Sequence, residues 1–289
     1  MKKLSSLLAI VAVVAFASAD AHAAEPPAPP TAADISGARA LSLAASRGLA
    51  GGNEGIFLNA ASLAARRRYS MELQWALDRV GGDNRSQFLG GSVVDSQIGS
   101  LTGGVAYTRI GRAETTGGVY ALALASPLTS RLFAGVTGKY LRLSGADPAN
   151  AATVDASLFY ALPSFSIGVS GYNLVPTNHD QHAPLGVGSG VSIGNERRYN
   201  FTADYRADFD RAGRTTHSWG VGGEMLAFGN FPLRAGFLRD EARDGKWWTA
   251  GVGVVSTSGL AIDLGYQQSL DVPQARVLAV ALKMFLVAQ

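Results

Sequence analysis

The chain has 289 residues, 47% of them hydrophobic and 16% charged, with 35 glycines, no cysteine and a formal net charge of +3. A soluble domain carries about 25% charged residues and about 7% glycine, so this chain is short of charge and rich in glycine. No cysteine means no disulfide framework and no thiolate chemistry, and a charge of +3 is too small to point to nucleic acid. A mean hydropathy of +0.12 is too low for a bundle of membrane helices.

The first segment reads as a secretory signal peptide. Lys2 and Lys3 form a positive start, Leu4 to Ala19 an apolar stretch, and Ala21-His22-Ala23 a small-x-small cleavage site. Residues 1–23 are therefore expected to be removed. Residues 24–31 are proline-rich and read as a stiff arm. Next, Ile35 to Arg47 reads as a short helix, and Gly48 to Asn53 as a turn cluster. A brief apolar run, Ile56-Phe57-Leu58, leads to Asn59 and then to the basic run Arg66-Arg67-Arg68. Those arginines read as a solvated face or as partners for lipid phosphates and lumen carboxylates.

From Tyr69 the period becomes two. Tyr69, Met71, Leu73, Trp75 and Leu77 alternate with Ser70, Glu72, Gln74, Ala76 and Asp78. Tyr199, Phe201, Ala203, Tyr205, Ala207 and Phe209 alternate with Asn200, Thr202, Asp204, Arg206 and Asp208. Fourteen strands are predicted, near 69–78, 86–95, 101–110, 117–126, 131–143, 153–160, 164–174, 186–193, 197–209, 215–227, 231–240, 246–255, 259–268 and 275–287. Residues 69–289 leave about 16 positions per strand with its connection, enough for tilted membrane strands of about 9–11 residues, and an even number lets the last return to the first. The odd-numbered gaps run 5–11 residues and the even-numbered ones 3–5. Short turns at one end and longer loops at the other place both termini in the periplasm. A soluble β-sandwich alternates too, but its wet face should carry Lys and Glu. Here that face is Gly, Ser, Thr and Ala, with isolated charges such as Glu72, Lys139, Asp155, Asp204, Arg206, Glu224, Asp263 and Lys283. The fold class is all-β: a closed antiparallel transmembrane β-barrel of about fourteen strands over 69–289, with a short, partly helical N-terminal plug within 24–68.

The stretch Gly37-Ala38-Arg39-Ala40-Leu41, followed by Gly51-Gly52-Asn53-Glu54-Gly55-Ile56-Phe57-Leu58-Asn59-Ala60-Ala61-Ser62-Leu63-Ala64, resembles the N-terminal hatch of FadL-like outer-membrane transporters, which PorV-type barrels share. The family pattern has Pro-Ala-Gly where this chain has Ala60-Ala61-Ser62, and the chain ends Phe285-Leu-Val-Ala-Gln289 without a terminal aromatic. The resemblance implies a plugged barrel in the bacterial outer membrane that takes up small hydrophobic compounds and releases them sideways or past the hatch. It assigns Arg39, Gly51, Gly52, Asn53 and Asn59 to the hatch. The alternative it carries is a non-transporting barrel that docks a periplasmic or surface protein in export. Apolar outer loops serve the fatty-acid transporters of the family, whereas the longest loop here, 175–185, is polar, which argues against a fatty acid.

Chemistry elsewhere is thin. His179 and His182 give His-x-x-His beside Asp180, a weak metal candidate without a third ligand. No Gly-x-Ser-x-Gly or phosphate loop is present, so neither an enzyme nor a cofactor is expected. Gly220-Val221-Gly222 and Gly251-Val252-Gly253 lie inside strands and read as close packing or strand bending. Trp219, Trp247, Trp248 and Tyr266 are candidate girdle residues. Arg39 or Arg47 should pair with a lumen carboxylate such as Glu72, Asp204 or Glu224, because an unpaired charge in a crowded lumen is costly. The expected partners are outer-membrane lipid, a small hydrophobic ligand or a periplasmic or surface protein, and no nucleic acid.

Overall fold

The computed structural model of the chain describes residues 34–49, 52–80, 85–97, 100–112, 114–146, 148–195, 198–211 and 213–286. The expected signal peptide, the proline-rich arm and Gly51 lie outside the described residues. Fourteen antiparallel strands close into one barrel: β1 Tyr69–Val80, β2 Arg85–Asp95, β3 Thr102–Arg112, β4 Thr115–Pro127, β5 Leu132–Gly145, β6 Ala149–Leu162, β7 Phe165–Tyr172, β8 Gly186–Asn195, β9 Tyr199–Arg211, β10 Arg214–Ala227, β11 Phe231–Asp240, β12 Gly245–Val255, β13 Leu260–Ser269 and β14 Ala275–Leu286. The last strand pairs with the first, Tyr69 opposite Leu286 and Val80 opposite Ala275. Closure leaves no sheet edge, which is what a lipid environment demands of a β structure.

The barrel is apolar outside and polar within. On β9, Phe201 is 61% exposed while its neighbour Thr202 and the next lumen residue Asp204 are 5% and 6% exposed. The same inversion runs round the wall, with Leu73, Leu89, Leu122, Leu158 and Leu282 outward. Among the described residues no helix is long and apolar enough to cross a membrane. Outward aromatic pairs form a belt on the side of the β7–β8 connection: Tyr107 against Tyr120 at 4.7 Å, Trp219 against Phe237 at 5.5 Å and Trp248 against Tyr266 at 5.4 Å between ring centroids. Trp247 is a correction to the expected girdle. It is fully buried and faces the lumen, with the Arg243 guanidinium 4.3 Å from its ring. The alternation explains it: with Trp248 outward, its neighbour must point in.

The described residues between 34 and 65 lie inside the barrel. Helix α1 (Ala38–Leu43) rests on β10 to β14, helix α2 (Gly55–Leu58) on β3 and β4, and a 3-10 turn (Ala60–Ala65) on β4 to β6. Ile35 packs with Ile110, Leu141 and Leu143, and Ile56 and Leu63 with Val94, Ala106 and Ala121. The helix expected over 35–47 is shorter than the sequence suggests. Ala44 adopts φ 56°, a left-handed conformation that ends α1. Beyond it the Ser46 and Arg47 backbone N–H groups turn to the wall, where Asp204 accepts both at 2.8 and 2.9 Å. Tertiary hydrogen bonds win over the helix propensity of the alanines.

Wall glycines make this fit possible. A methyl carbon on Gly220 or Gly222 of β10 would sit 2.0 Å from the carbonyl oxygen of Ala44 or Leu43. No side chain fits between those backbones, so the Gly-x-Gly spacing serves close approach.

The strands also run further than expected at the end opposite the β1 start. The β3–β4 and β9–β10 connections shrink to two residues each, and β6 begins at Ala149 rather than near 153. The predicted excess of loop at that end is therefore concentrated in one connection, 173–185. Below, the end bearing that connection is called the long-loop end.

Candidate functional site

Two clusters of charge fix the inner segment to the wall. In the first, Arg39 reaches Glu224 of β10 with Nη2 at 2.9 Å and Nε at 3.3 Å, and approaches Glu54 at 3.7 Å. Glu224 also accepts from Arg234 of β11, which donates to Asp263 of β13 at 2.6 Å. Lys283 of β14 bridges Asp263 at 3.2 Å and Glu72 of β1 at 3.7 Å. Opposite charges alternate along the whole run, Glu54, Arg39, Glu224, Arg234, Asp263, Lys283, Glu72. All of these wall residues are buried. Buried charges persist when paired in this way, and removing one partner strands the other.

In the second cluster Arg47 pairs with Asp204 at 3.3 Å and donates to the Tyr172 hydroxyl at 2.8 Å. Arg206 lies over the other side of this site, 4.9 Å from the Tyr172 ring, and pairs with Asp208 at 2.6 Å. Higher up, Arg211 grips Asp34 at 2.6 Å and Arg243 grips Asp78 at 2.7 Å. The charge argument from sequence thus finds its partners: Arg39 with Glu224, Arg47 with Asp204.

Other hatch-assigned residues make local ties. Asn53 donates to Ser92 at 2.9 Å and accepts from Ser70 at 2.6 Å, joining the segment to β2 and β1. Asn59 donates to the Leu158 carbonyl at 3.2 Å. Gly52 leaves room for the Glu54 carboxylate, which a methyl carbon there would overlap. The histidine pair lies in the 173–185 connection, where the His182 and Ala183 N–H groups both donate to the His179 carbonyl. His182 is buried, and among the described residues no group of three His, Asp or Glu side chains is arranged to hold a metal. The pair shapes a turn. Arg66 and Arg67 are exposed, while Arg68 stacks 5.2 Å from the Phe285 ring.

Sequence reasoning missed Arg211, Arg234, Arg243 and Asp34. Carrying the alternation through β11 would have put Arg234 and Asp240 in the lumen, both on the same face as Leu238 and Gly236. Arg211 and Arg243 stand at strand ends and in a turn, where the period gives no direction.

Between α1 and the wall is a cavity of about 150 Å³, open toward the long-loop end. The inner segment lines it with Ile35, Ala40, Leu41 and Ala45 but also with Arg47, and its wall mixes Ala76, Phe88, Leu238 and Val277 with Gln74, Asp204, Arg206 and Gln267. Its rim is charged, with Asp78, Asp208, Arg211 and Arg243. A solute reaching it meets apolar footing on α1 beside charged side chains.

The wall is low at one place. The strands β7 and β8 are short, and β7 ends at Tyr172, so residues 149–155 of β6 have no strand on that side. The 173–185 connection fills the gap. Leu174 N–H donates to the Val154 carbonyl at 2.8 Å, Thr153 to the Val175 carbonyl at 3.0 Å, and Asn173 N–H to Asp155 at 2.8 Å. Leu174, Val175 and Leu185 are exposed on its outer side, and Ala183 is buried against Ile35 and its neighbours. A closing loop held by a few hydrogen bonds opens more readily than a strand ladder.

No protein-family model matches the chain, and no curated protein matches it. Solved structures do. The toluene transporter TbuX of Ralstonia pickettii is 15% identical, with a TM-score of 0.66 over 86% of this chain and 97% of that one. A FadL homologue of Pseudomonas aeruginosa is 12% identical, with a TM-score of 0.64 over 90% and 99%. The toluene transporter TodX of Pseudomonas putida is 12% identical, with a TM-score of 0.59 over 89% and 98%. The likeness is one of fold: this chain is a FadL-like closed barrel, the fold of outer-membrane hydrocarbon transporters.

Proposed function

We propose that the protein is an outer-membrane channel for small hydrophobic compounds, with the inner segment acting as its hatch. The observation that carries this reading is the cavity of about 150 Å³, with apolar footing on α1 among charged residues, enclosed in a barrel whose outer face is apolar. A cavity of about this volume has room for a single benzene ring. Its size and the polar 173–185 connection favour a one-ring solute over a long acyl chain. Apolar solutes cross a charged leaflet surface poorly, and a protein path with apolar footing lowers that barrier. In this reading residues 1–23 are a cleaved signal peptide, the long-loop end faces outward and both termini face the periplasm. The solute comes in past the charged rim, rests on the floor formed by α1, and leaves sideways where the 173–185 connection covers the low wall.

The test is uptake by cells whose outer membrane limits entry. Cells producing the chain should take up labelled toluene faster than cells with an empty vector, and labelled oleate no faster. Equal rates for toluene would overturn the reading. Faster oleate uptake would overturn the choice of solute.

A further inference from the structure

Three arginines face outward at one level on adjacent strands. Arg79 of β1 stands directly opposite Arg276 of β14 on one side and Arg85 of β2 on the other. Arg85 and Arg276 are exposed and Arg79 is half-buried. Neighbouring strands are about 4.8 Å apart, so the three share a strip about 10 Å wide. Like charges set directly opposite weaken a strand pair. In the lumen the cations meet carboxylates, but among the described residues none of these three side chains has an ion-pair or hydrogen-bond partner. Asp83, in the adjoining turn, lies outside the described residues.

A second pair of outward arginines stands further round the wall, with Arg109 in register with Leu89 rather than with Arg85. Arg109 of β3 and Arg142 of β5 are both exposed and both stand opposite Gly118 of β4. The Tyr107 ring covers Gly118, within 2.6 Å of where a methyl carbon would sit. Each arginine is two residues beyond a member of the outward tyrosine row, Tyr107 and Tyr140. In the same way Arg79 and Arg276 are two residues beyond Leu77 and Leu278, where the apolar face ends. This is the level of lipid headgroups when the apolar face sits in a bilayer.

We propose that this strip of outward arginines binds the phosphate groups of a lipid headgroup in the leaflet at the long-loop end. Guanidinium groups at fixed spacing match phosphate oxygens through paired, charge-assisted hydrogen bonds, and a bound anion removes the repulsion along the strip. Resting on the outer-membrane reading above, the lipid is the phosphorylated glycolipid of the outer leaflet. Its acyl chains would lie on the apolar face directly below.

The test uses the purified full chain in neutral detergent, with native mass spectrometry of bound lipid. The probes are bis-phosphorylated lipid A, its dephosphorylated form and phosphatidylethanolamine. The wild-type chain should retain lipid A and not the other two. The triple variant R79Q/R85Q/R276Q should bind lipid A about a hundredfold more weakly, roughly fivefold for each arginine at a membrane surface. Heat-dependent gel mobility checks that the variant barrel is closed. Should the triple variant fail to close, R276Q alone at its exposed position should weaken binding about fivefold. Equal retention by wild type and variant, or equal binding of the dephosphorylated form, overturns the proposal. Because lipid binding is read on purified protein, a barrel that carries toluene without preferring phosphate refutes this inference alone.

Discussion

Asp204→Ala detaches the inner segment from the wall and destabilises the protein by about 3–5 kcal/mol, the cost of breaking a buried charge pair by removing one partner. One carboxylate holds three groups: the Ser46 N–H at 2.8 Å, the Arg47 N–H at 2.9 Å and the Arg47 guanidinium at 3.3 Å. Ser46 is buried, so its freed donor has no water to turn to. Tyr172 still accepts from Arg47, but a neutral hydroxyl does not balance a buried cation. The strand itself keeps its ladder, so the barrel should still close. Two readings follow from that separation. The unfolding midpoint in denaturant falls, and the ion conductance of single barrels in a planar bilayer rises as residues 44–49 leave the wall. Asp204→Asn keeps an acceptor while losing the charge and should lie between. An unchanged midpoint with unchanged conductance would show that Asp204 does not anchor the segment.

Gly222→Val dislodges α1 without opening the barrel. The new methyl carbon would lie 2.0 Å from the Leu43 carbonyl oxygen and 2.9 Å from its carbon, and these are backbone atoms that cannot swing away. Overpacking in a tight interior costs about 1–3 kcal/mol, and contact with fixed backbone puts this substitution at or above the top of that range. Valine suits a strand, so the wall tolerates it. The loss should therefore fall on the inner segment: protease reaches residues 34–65 in the folded barrel, and conductance rises. Gly138→Val is the matched control, because nothing lies within 4 Å of a methyl carbon there. It should behave as wild type. Similar behaviour of the two variants would mean that the Gly222 contact is not what seats α1.

These contacts also show what a reader of the sequence sees and what stays hidden. The barrel is legible because lipid and lumen impose opposite preferences on alternate residues for ten or more positions at a time. Every strand could be placed, the short β8 and β11 included, since period two survives even where glycine thins it. The ends were less legible: β3, β4, β5, β6 and β9 run into segments whose polar residues read as loop, because strands that project beyond lipid lose the apolar half of the pattern. Trp247 was misread by its type, although alternation with an outward Trp248 points it into the lumen. The helix over 35–47 was overextended because nothing local marks Ala44, whose left-handed turn is imposed by the wall. Charge pairs such as Arg39 with Glu224 join positions 185 apart. Sequence argument could require a partner for Arg39 and narrow it to a few carboxylates, but the choice among them is made by barrel register. The glycine excess is the clearest gain. Its placement on the lumen side was readable. Its cause, carbonyl groups of the inner segment lying against the wall at Gly220 and Gly222, was not.

The central claim, that small hydrophobic solutes pass through the cavity above α1, is tested most directly by filling that cavity. Ala76 of β1 lines it and is partly exposed, so Ala76→Trp occupies the space from the wall. Labelled toluene uptake is measured in cells producing equal amounts of wild-type or variant barrel, each verified as closed by heat-dependent gel mobility. The account predicts that uptake with Ala76→Trp falls to the empty-vector rate while the wild-type chain stays well above it; a variant that takes up toluene as fast as the wild type would contradict it.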